Sequence, residues 1–163
     1  MRSWLLVALI AFACAEGEEP RTTPAPTPTE LPLARVAVTL EVDKDTYAVG
    51  EPIPMTLTVA NVRAQPITLY YRDAQRFDFF VVVGDQEVWR WSADQLFAQV
   101  LGQETLAPGQ YLVYRLVWYQ QDAQGQPVPP GTYTLYGEST GCLDPDLVTN
   151  CRQRSNPFPF TVR

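Results

Sequence analysis

Histidine is absent from the 163 residues, and lysine occurs once, as Lys44. The first absence removes the usual general base, the Ser-His and Cys-His couples and the commonest metal ligand. The second leaves arginine to supply almost all the positive charge, 12 basic residues against 18 acidic ones, for a formal net charge of −6. No basic stripe is left for a phosphate backbone, so nucleic acid is not an expected partner. Long helices are missing as well, because 15 prolines and 9 glycines interrupt every stretch after the first residues. No glycine-rich phosphate loop occurs. The carboxylate pairs Asp43/Asp45 and Asp144/Asp146 lack the spacing and the bidentate Glu of a calcium loop and read as solvated turn residues. Ser92 has no base near it in sequence. No catalytic residue, metal site or cofactor is expected, and the chain does not read as an enzyme.

What is present begins with an export signal. Residues 1–13 join one positive charge, Arg2, to an apolar run and the small-residue end Ala11-Phe12-Ala13, too short to span a bilayer. Cys14 follows. Ala11-Phe12-Ala13-Cys14 resembles a lipoprotein signal-peptide site, in which the cysteine becomes the lipidated first residue, and it also satisfies ordinary cleavage after Ala13. Cysteine arithmetic favours lipidation: three cysteines leave one over. Cys142 and Cys151 can close a short turn-rich loop as a disulfide in an oxidising compartment, the alternative being two buried thiols. Residues 14–34, rich in Glu, Thr and Pro, read as a disordered tether with polyproline character. At about 3.1 Å per residue such a tether reaches at most roughly 60 Å. The expected location is exported and anchored to a membrane of the cell envelope, on its periplasmic or extracellular face.

Residues 35–163 follow period two. Val36, Val38, Leu40 and Val42 share one face of a half-buried strand, and Met55, Leu57 and Val59 share one face of the next. Pro66 opens a third with Ile67, Leu69 and Tyr71. Residues 77–83 are apolar on both faces apart from Asp78 and are expected to cross the middle of the domain. Gly84-Asp85 turns the chain into the hairpin partner Val88-Trp89-Arg90-Trp91, whose tryptophans point the same way. Residues 92–97 read as one helical turn capped by Ser92. Strands containing Leu112, Tyr114, Leu116 and Trp118, then Tyr133 and Leu135, and finally Phe158 and Phe160 complete the pattern. About seven or eight strands without crossover helices predict an all-β, antiparallel, immunoglobulin-like sandwich.

The segment from Tyr47 to Tyr133 carries in order Tyr47-Ala48-Val49-Gly50-Glu51-Pro52, Gln75-Arg76-Phe77-Asp78-Phe79, Val88-Trp89-Arg90-Trp91-Ser92, Phe97, Leu106-Ala107-Pro108-Gly109, Trp118 and Pro129-Pro130-Gly131-Thr132-Tyr133. The resemblance these motifs carry is to the intracellular proteinase inhibitor (BsuPI) family. It implies a small immunoglobulin-like domain that inhibits a serine proteinase, so the expected partner is a protein. The export signal departs from an intracellular inhibitor, and the segment 142–151 departs from the family pattern. Phe77, Phe79, Trp89 and Trp91 read as core aromatics, with Asp78 and Arg90 as an ion pair across the hairpin. Two loops are stiff enough to enter a proteinase cleft as an added strand. One is 120–130, with Pro127, Val128 and Pro129. The other is 141–150, where Leu143 and Leu147 could fill an apolar pocket. The alternative is an envelope module that binds another protein without inhibiting it.

Overall fold

The computed structural model describes residues 36–163. The expected signal peptide 1–13, Cys14 and the expected tether 14–34 lie outside the described residues. The first sheet is a plain antiparallel set in the order β1 (Val36–Val42), β3 (Ile53–Asn61), β8 (Tyr111–Trp118). Its registers run without a shift, from Val36 opposite Asn61 to Val42 opposite Met55, and from Ile53 opposite Trp118 to Ala60 opposite Tyr111. Ile53, Met55, Leu57 and Val59 all point inward and are buried, as period two requires.

The second sheet is organised around the twelve-residue β9 (Gly131–Cys142). On one side β9 pairs with β11 (Phe158–Val162) and β10 (Cys151–Arg154). On the other it pairs with β5 (Phe77–Val83) and, at one residue, with β4 (Ile67–Tyr71). β4 carries the edge strand β7 (Gly102–Leu106), β5 carries its hairpin partner β6 (Gln86–Arg90), and β11 carries the two-residue β2 (Thr46–Tyr47). That last pair is parallel and the others are antiparallel. β5 is thus flanked on both sides, and its outer face is covered as well: Phe80 stacks on Tyr136 at 5.1 Å beneath the guanidinium groups of Arg90 and Arg154.

Eleven strands stand among the described residues, against seven or eight expected. β2, β7 and β10 are the additions. β7 (Gly-Gln-Glu-Thr-Leu) and β10 (Cys-Arg-Gln-Arg) carry almost no apolar alternation, because they pair along one edge only and contribute little to the interior. The core lies between the sheets: Leu57 and Val59 of β3 meet Phe79 and Val81 of β5, Leu69 and Tyr71 of β4, Leu135 of β9 and Phe160 of β11. At Gly137 the sheets approach so closely that a Cβ would collide with Leu57. One latch ties the turn at residues 48–51 to the residue two places after β8. The Gln120 amide nitrogen donates to the carbonyls of Ala48 and Glu51 at 2.8 Å each, and its oxygen accepts from the Gly50 N–H at 2.9 Å.

Candidate functional site

The hairpin β5–β6 and the short 3-10 helix that follows it, Trp91–Asp94, form a pedestal. Asp78 faces away from the inner core on β5, yet only 1% of it is exposed. Its carboxylate accepts from Arg90 Nη1 at 2.7 Å, from the Ser92 hydroxyl at 2.6 Å and from the backbone N–H groups of Ser92 and Phe79 at 3.1 and 3.0 Å. A buried charge needs such a full set of donors. Glu87 binds the same guanidinium through Nε and Nη2; the hydrogen bonds to Glu87 first, then to Asp78, hold Arg90 above its ordinary pKa against the opposing effect of burial. Ser92 is therefore not the cap of a helical turn. It lies inside the 3-10 helix, whose first flanking residue is Arg90, and its hydroxyl is taken by Asp78 instead.

On the inner face, Phe77 is stacked between Trp91 at 4.4 Å and Tyr114 at 4.5 Å, while Trp89 packs on Trp118 at 5.6 Å. Both tryptophans join the margin of the core, as the spacing predicts.

The pedestal carries the loop 95–101. Gln95 is extended, and its N–H closes the 3-10 turn onto the Ser92 carbonyl. Leu96 is 102% exposed. The next side chain, Phe97, turns back onto the Trp91 ring at 5.8 Å, and the Ala98 carbonyl accepts from the N–H groups of Ala74 and Val100 at 2.9 Å each. Val100 and Leu101 are exposed again. A protruding apolar residue is thus held by an aromatic anchor and a backbone anchor immediately after it.

The segment closed by the Cys142–Cys151 disulfide stands beside this loop. Leu101 on one side and Pro145 and Leu147 on the other line a groove of about 270 Å³ floored by Tyr70 and Tyr71. Two carboxylates shape the segment. Asp144 accepts from the Thr149 hydroxyl and the Asn150 amide, and Asp146 from the N–H groups of Val148 and Thr149. The Val148 and Thr149 N–H groups, followed by the Thr149 hydroxyl, hold Asp146 below its ordinary pKa. Leu143 packs against the core margin and Leu147 is half-buried, so the apolar side chain turned to solvent is Val148.

The other candidate loop lies elsewhere. Residues 120–130 lead into the start of β9, whereas Cys142 ends it, so some 35 Å of strand separates the two loops at roughly 3.3 Å per residue. Ala123 bonds to the Val88 carbonyl, and an isolated bridge joins Gln121 to Pro127. Pro127 and Pro129 are exposed, but Val128 is 4% exposed and belongs to the core cluster. The expectation that Val128 contacts a partner is corrected: its N–H is bonded to Gln120 and its side chain fills the interior beneath the proline turn.

The profile of the intracellular proteinase inhibitor (BsuPI) family matches residues 40–141. The chain belongs to this family. The matched span contains the whole pedestal and the loop 95–101, and it stops one residue before Cys142, so the disulfide segment, β10 and β11 lie beyond it. No curated protein matches. Among solved structures, the alkylpurine DNA glycosylase AlkC of Pseudomonas fluorescens is 16% identical, with a TM-score of 0.45 over 80% of this chain and 31% of that one. The sporulation control protein Spo0M of Bacillus subtilis is 15% identical, with a TM-score of 0.48 over 80% and 50%. The CARDB domain of a Pyrococcus furiosus protein is 13% identical, with a TM-score of 0.42 over 78% and 87%. This chain therefore spans less than half of the first of these proteins and half of the second.

Proposed function

We propose that the domain is a non-catalytic inhibitor that offers the loop 95–101 to a serine proteinase with an apolar specificity pocket. The observation that carries this is Leu96, fully exposed yet fixed from behind by Phe97 on Trp91 and by the doubly bonded Ala98 carbonyl. A loop already held in one conformation loses little entropy on entering a cleft, and an extended backbone at Gln95 suits addition as a strand. The pedestal built from the family's motif residues supports the reading, since it holds that loop in place. In the same proposal the chain is exported, and lipid on Cys14 with the tether 14–34 holds the domain at the envelope membrane.

The test is an inhibition panel of subtilisin-like and trypsin-like proteinases with the parent and with Leu96→Asp. Micromolar inhibition of a subtilisin-like enzyme that Leu96→Asp abolishes, with thermal unfolding unchanged, supports the reading. No inhibition by the parent, or full inhibition by the variant, overturns it. Mass spectrometry of the mature N-terminus decides the anchor: a diacylated or triacylated Cys14 supports it, and a chain beginning after Ala13 without lipid refutes it. A second reading, an envelope module that docks another protein without inhibition, is favoured by the disulfide segment, which stands beside the same loop yet lies outside the family match.

A further inference from the structure

An edge strand leaves a row of backbone donors and acceptors unpaired, and proteins commonly blunt such edges with charge, proline, bulges or a covering segment. Three other edges of this fold show those devices. The β6 edge is covered where Ala123 donates to the Val88 carbonyl. β7 presents Gln103, Glu104 and Thr105, and β1 turns the exposed Thr39 and Glu41 outward. β8 differs. It is the edge of the three-stranded sheet, eight residues long, paired to β3 without a register shift, and free of proline and glycine.

The bonding phase shows which groups its free edge presents. The Asn61 N–H donates to the Gln110 carbonyl at 2.9 Å, and these two residues continue the β3–β8 register. In an antiparallel ladder alternate residues bond across the pair, so Leu112, Tyr114, Leu116 and Trp118 turn their backbone groups to β3. Tyr111, Val113, Arg115 and Val117 turn theirs outward, and among the described residues nothing bonds to them. The side chains of the same four residues stand on the face away from the core, with Tyr111 63% and Val117 40% exposed. Arg115 is the one charge on the strand.

We propose that this edge pairs with the same edge of a second copy, antiparallel about a two-fold axis at Val113. The occupant follows from charge and register. Three symmetric registers bring outward groups to outward groups near the strand centre. Placing Arg115 on Arg115 of the partner subunit sets two guanidinium groups face to face, and placing Val113 on Arg115 of the partner subunit leaves them diagonal neighbours. Placing Val113 on Val113 of the partner subunit separates the charges by four residues of strand. It also sets each Arg115 opposite Tyr111 of the partner subunit, where the guanidinium can lie over the ring. Three residue pairs then exchange six backbone hydrogen bonds. The surface is small, at the low end of protein interfaces, so the dimer is a weak one that forms at micromolar or higher concentration.

Sedimentation velocity on the full chain, exported with Cys14→Ser so that no lipid drives association, tests this from micromolar to submillimolar concentration. The expected result is a monomer–dimer equilibrium that Val113→Lys and Val113→Glu each abolish. An equimolar mixture of the two variants restores it, because position 113 faces itself across the axis. Amide exchange on the chain with Val113 intact gives a second readout, with the Tyr111, Val113 and Arg115 amides slowing as concentration rises. A chain that stays monomeric, a dimer that survives Val113→Lys, a mixture that remains monomeric, or amides indifferent to concentration each overturns the proposal. So does a monomeric chain in which Val113→Lys abolishes proteinase inhibition instead, since the edge would then belong to the enzyme.

Discussion

The Asp78 carboxylate takes both the hydroxyl and the backbone N–H of Ser92, at 2.6 and 3.1 Å, so a charge on one strand of a hairpin fixes the turn that leaves the other. The Phe-Asp-Phe and Trp-Arg-Trp-Ser motifs are two halves of one device. Aromatic rings hold its inner side and a buried ion pair its outer side, and the exposed Leu96 follows directly from it.

Asp78→Asn therefore strips a charge that Arg90 and Ser92 both use, while keeping the shape. The expected loss of stability is about 1 to 3 kcal/mol, since the amide sets an N–H donor among the donors that the buried Asp78 carboxylate accepts, while the partly buried Arg90 keeps Glu87. Ser92→Ala removes one hydrogen bond and costs about 1 kcal/mol. Because both changes touch the same carboxylate, the double variant should lose less than the sum. Urea unfolding curves measure all three, and strict additivity would separate the two residues.

Gly137 and Leu57 make a second coupled pair, this time between the sheets. Leu57 is fully buried, so a Cβ at position 137 has no room unless that side chain leaves its place. Gly137→Ala is expected to destabilise by about 1 to 3 kcal/mol through overpacking. Leu57→Ala alone costs about 2 to 5 kcal/mol through the cavity it leaves. Together the added methyl occupies part of that cavity, and the double variant should be more stable than the sum of the single losses. A fully additive result would mean that the sheets are not in contact there.

Most of the fold was legible because period two is a strong signal wherever one face is buried. The inward Met55, Leu57 and Val59, the doubly flanked β5, the Asp78–Arg90 pair and the Cys142–Cys151 bond all follow from local pattern or spacing. What escaped depends on neighbours distant in sequence. β2 pairs with β11 across more than a hundred residues, and β7 and β10 are polar strands that pattern cannot separate from loops. Pro127-Val128-Pro129 reads as a surface turn, and nothing local says that its valine turns inward. Leu96 and Phe97 are adjacent apolar residues at the end of a run that scans as a helical turn. Only the Trp91 ring decides that Phe97 is kept and Leu96 is turned out.

Three tyrosines set the alkaline limit of the domain. Burial is the main cause that raises Tyr47, Tyr71 and Tyr114 above their ordinary value of 10.0. Asp43 adds to it at Tyr47 and Glu104 at Tyr71 and Tyr114, the last being pushed up to about 12. A folded pKa above the unfolded one means that the neutral ring is favoured by folding. That contribution is complete below pH about 10 and is lost as pH rises from there toward the folded values. The urea midpoint should fall steadily above pH about 10, with ionisation of these rings appearing only as the chain unfolds. A midpoint that is flat up to pH about 11, or full tyrosinate absorbance in a chain that keeps its fold, would contradict the burial of these rings.

The length of β9 separates two families of substitution. Pro127 and Pro129 precede its beginning, whereas Val148 lies in the segment that follows its end, next in sequence to Leu147, which faces Leu101 across the groove. An enzyme that accepts Leu96 and extends over the groove between Leu101 and Leu147 is expected to meet the neighbouring Val148 and not the proline turn, since roughly 35 Å of strand separates Val148 from that turn. Val148→Asp should weaken proteinase binding at least tenfold, about 1.4 kcal/mol, by placing a carboxylate at the margin of an apolar contact. Pro127→Ala and Pro129→Ala should leave binding unchanged, and Val128→Ala should lower stability by about 1 to 3 kcal/mol without altering affinity once folded. Inhibition constants measured beside thermal unfolding separate these effects. If the proline substitutions weaken inhibition while Leu96→Asp and Val148→Asp do not, the enzyme is engaged at the opposite end of the domain, and the pedestal serves the fold alone.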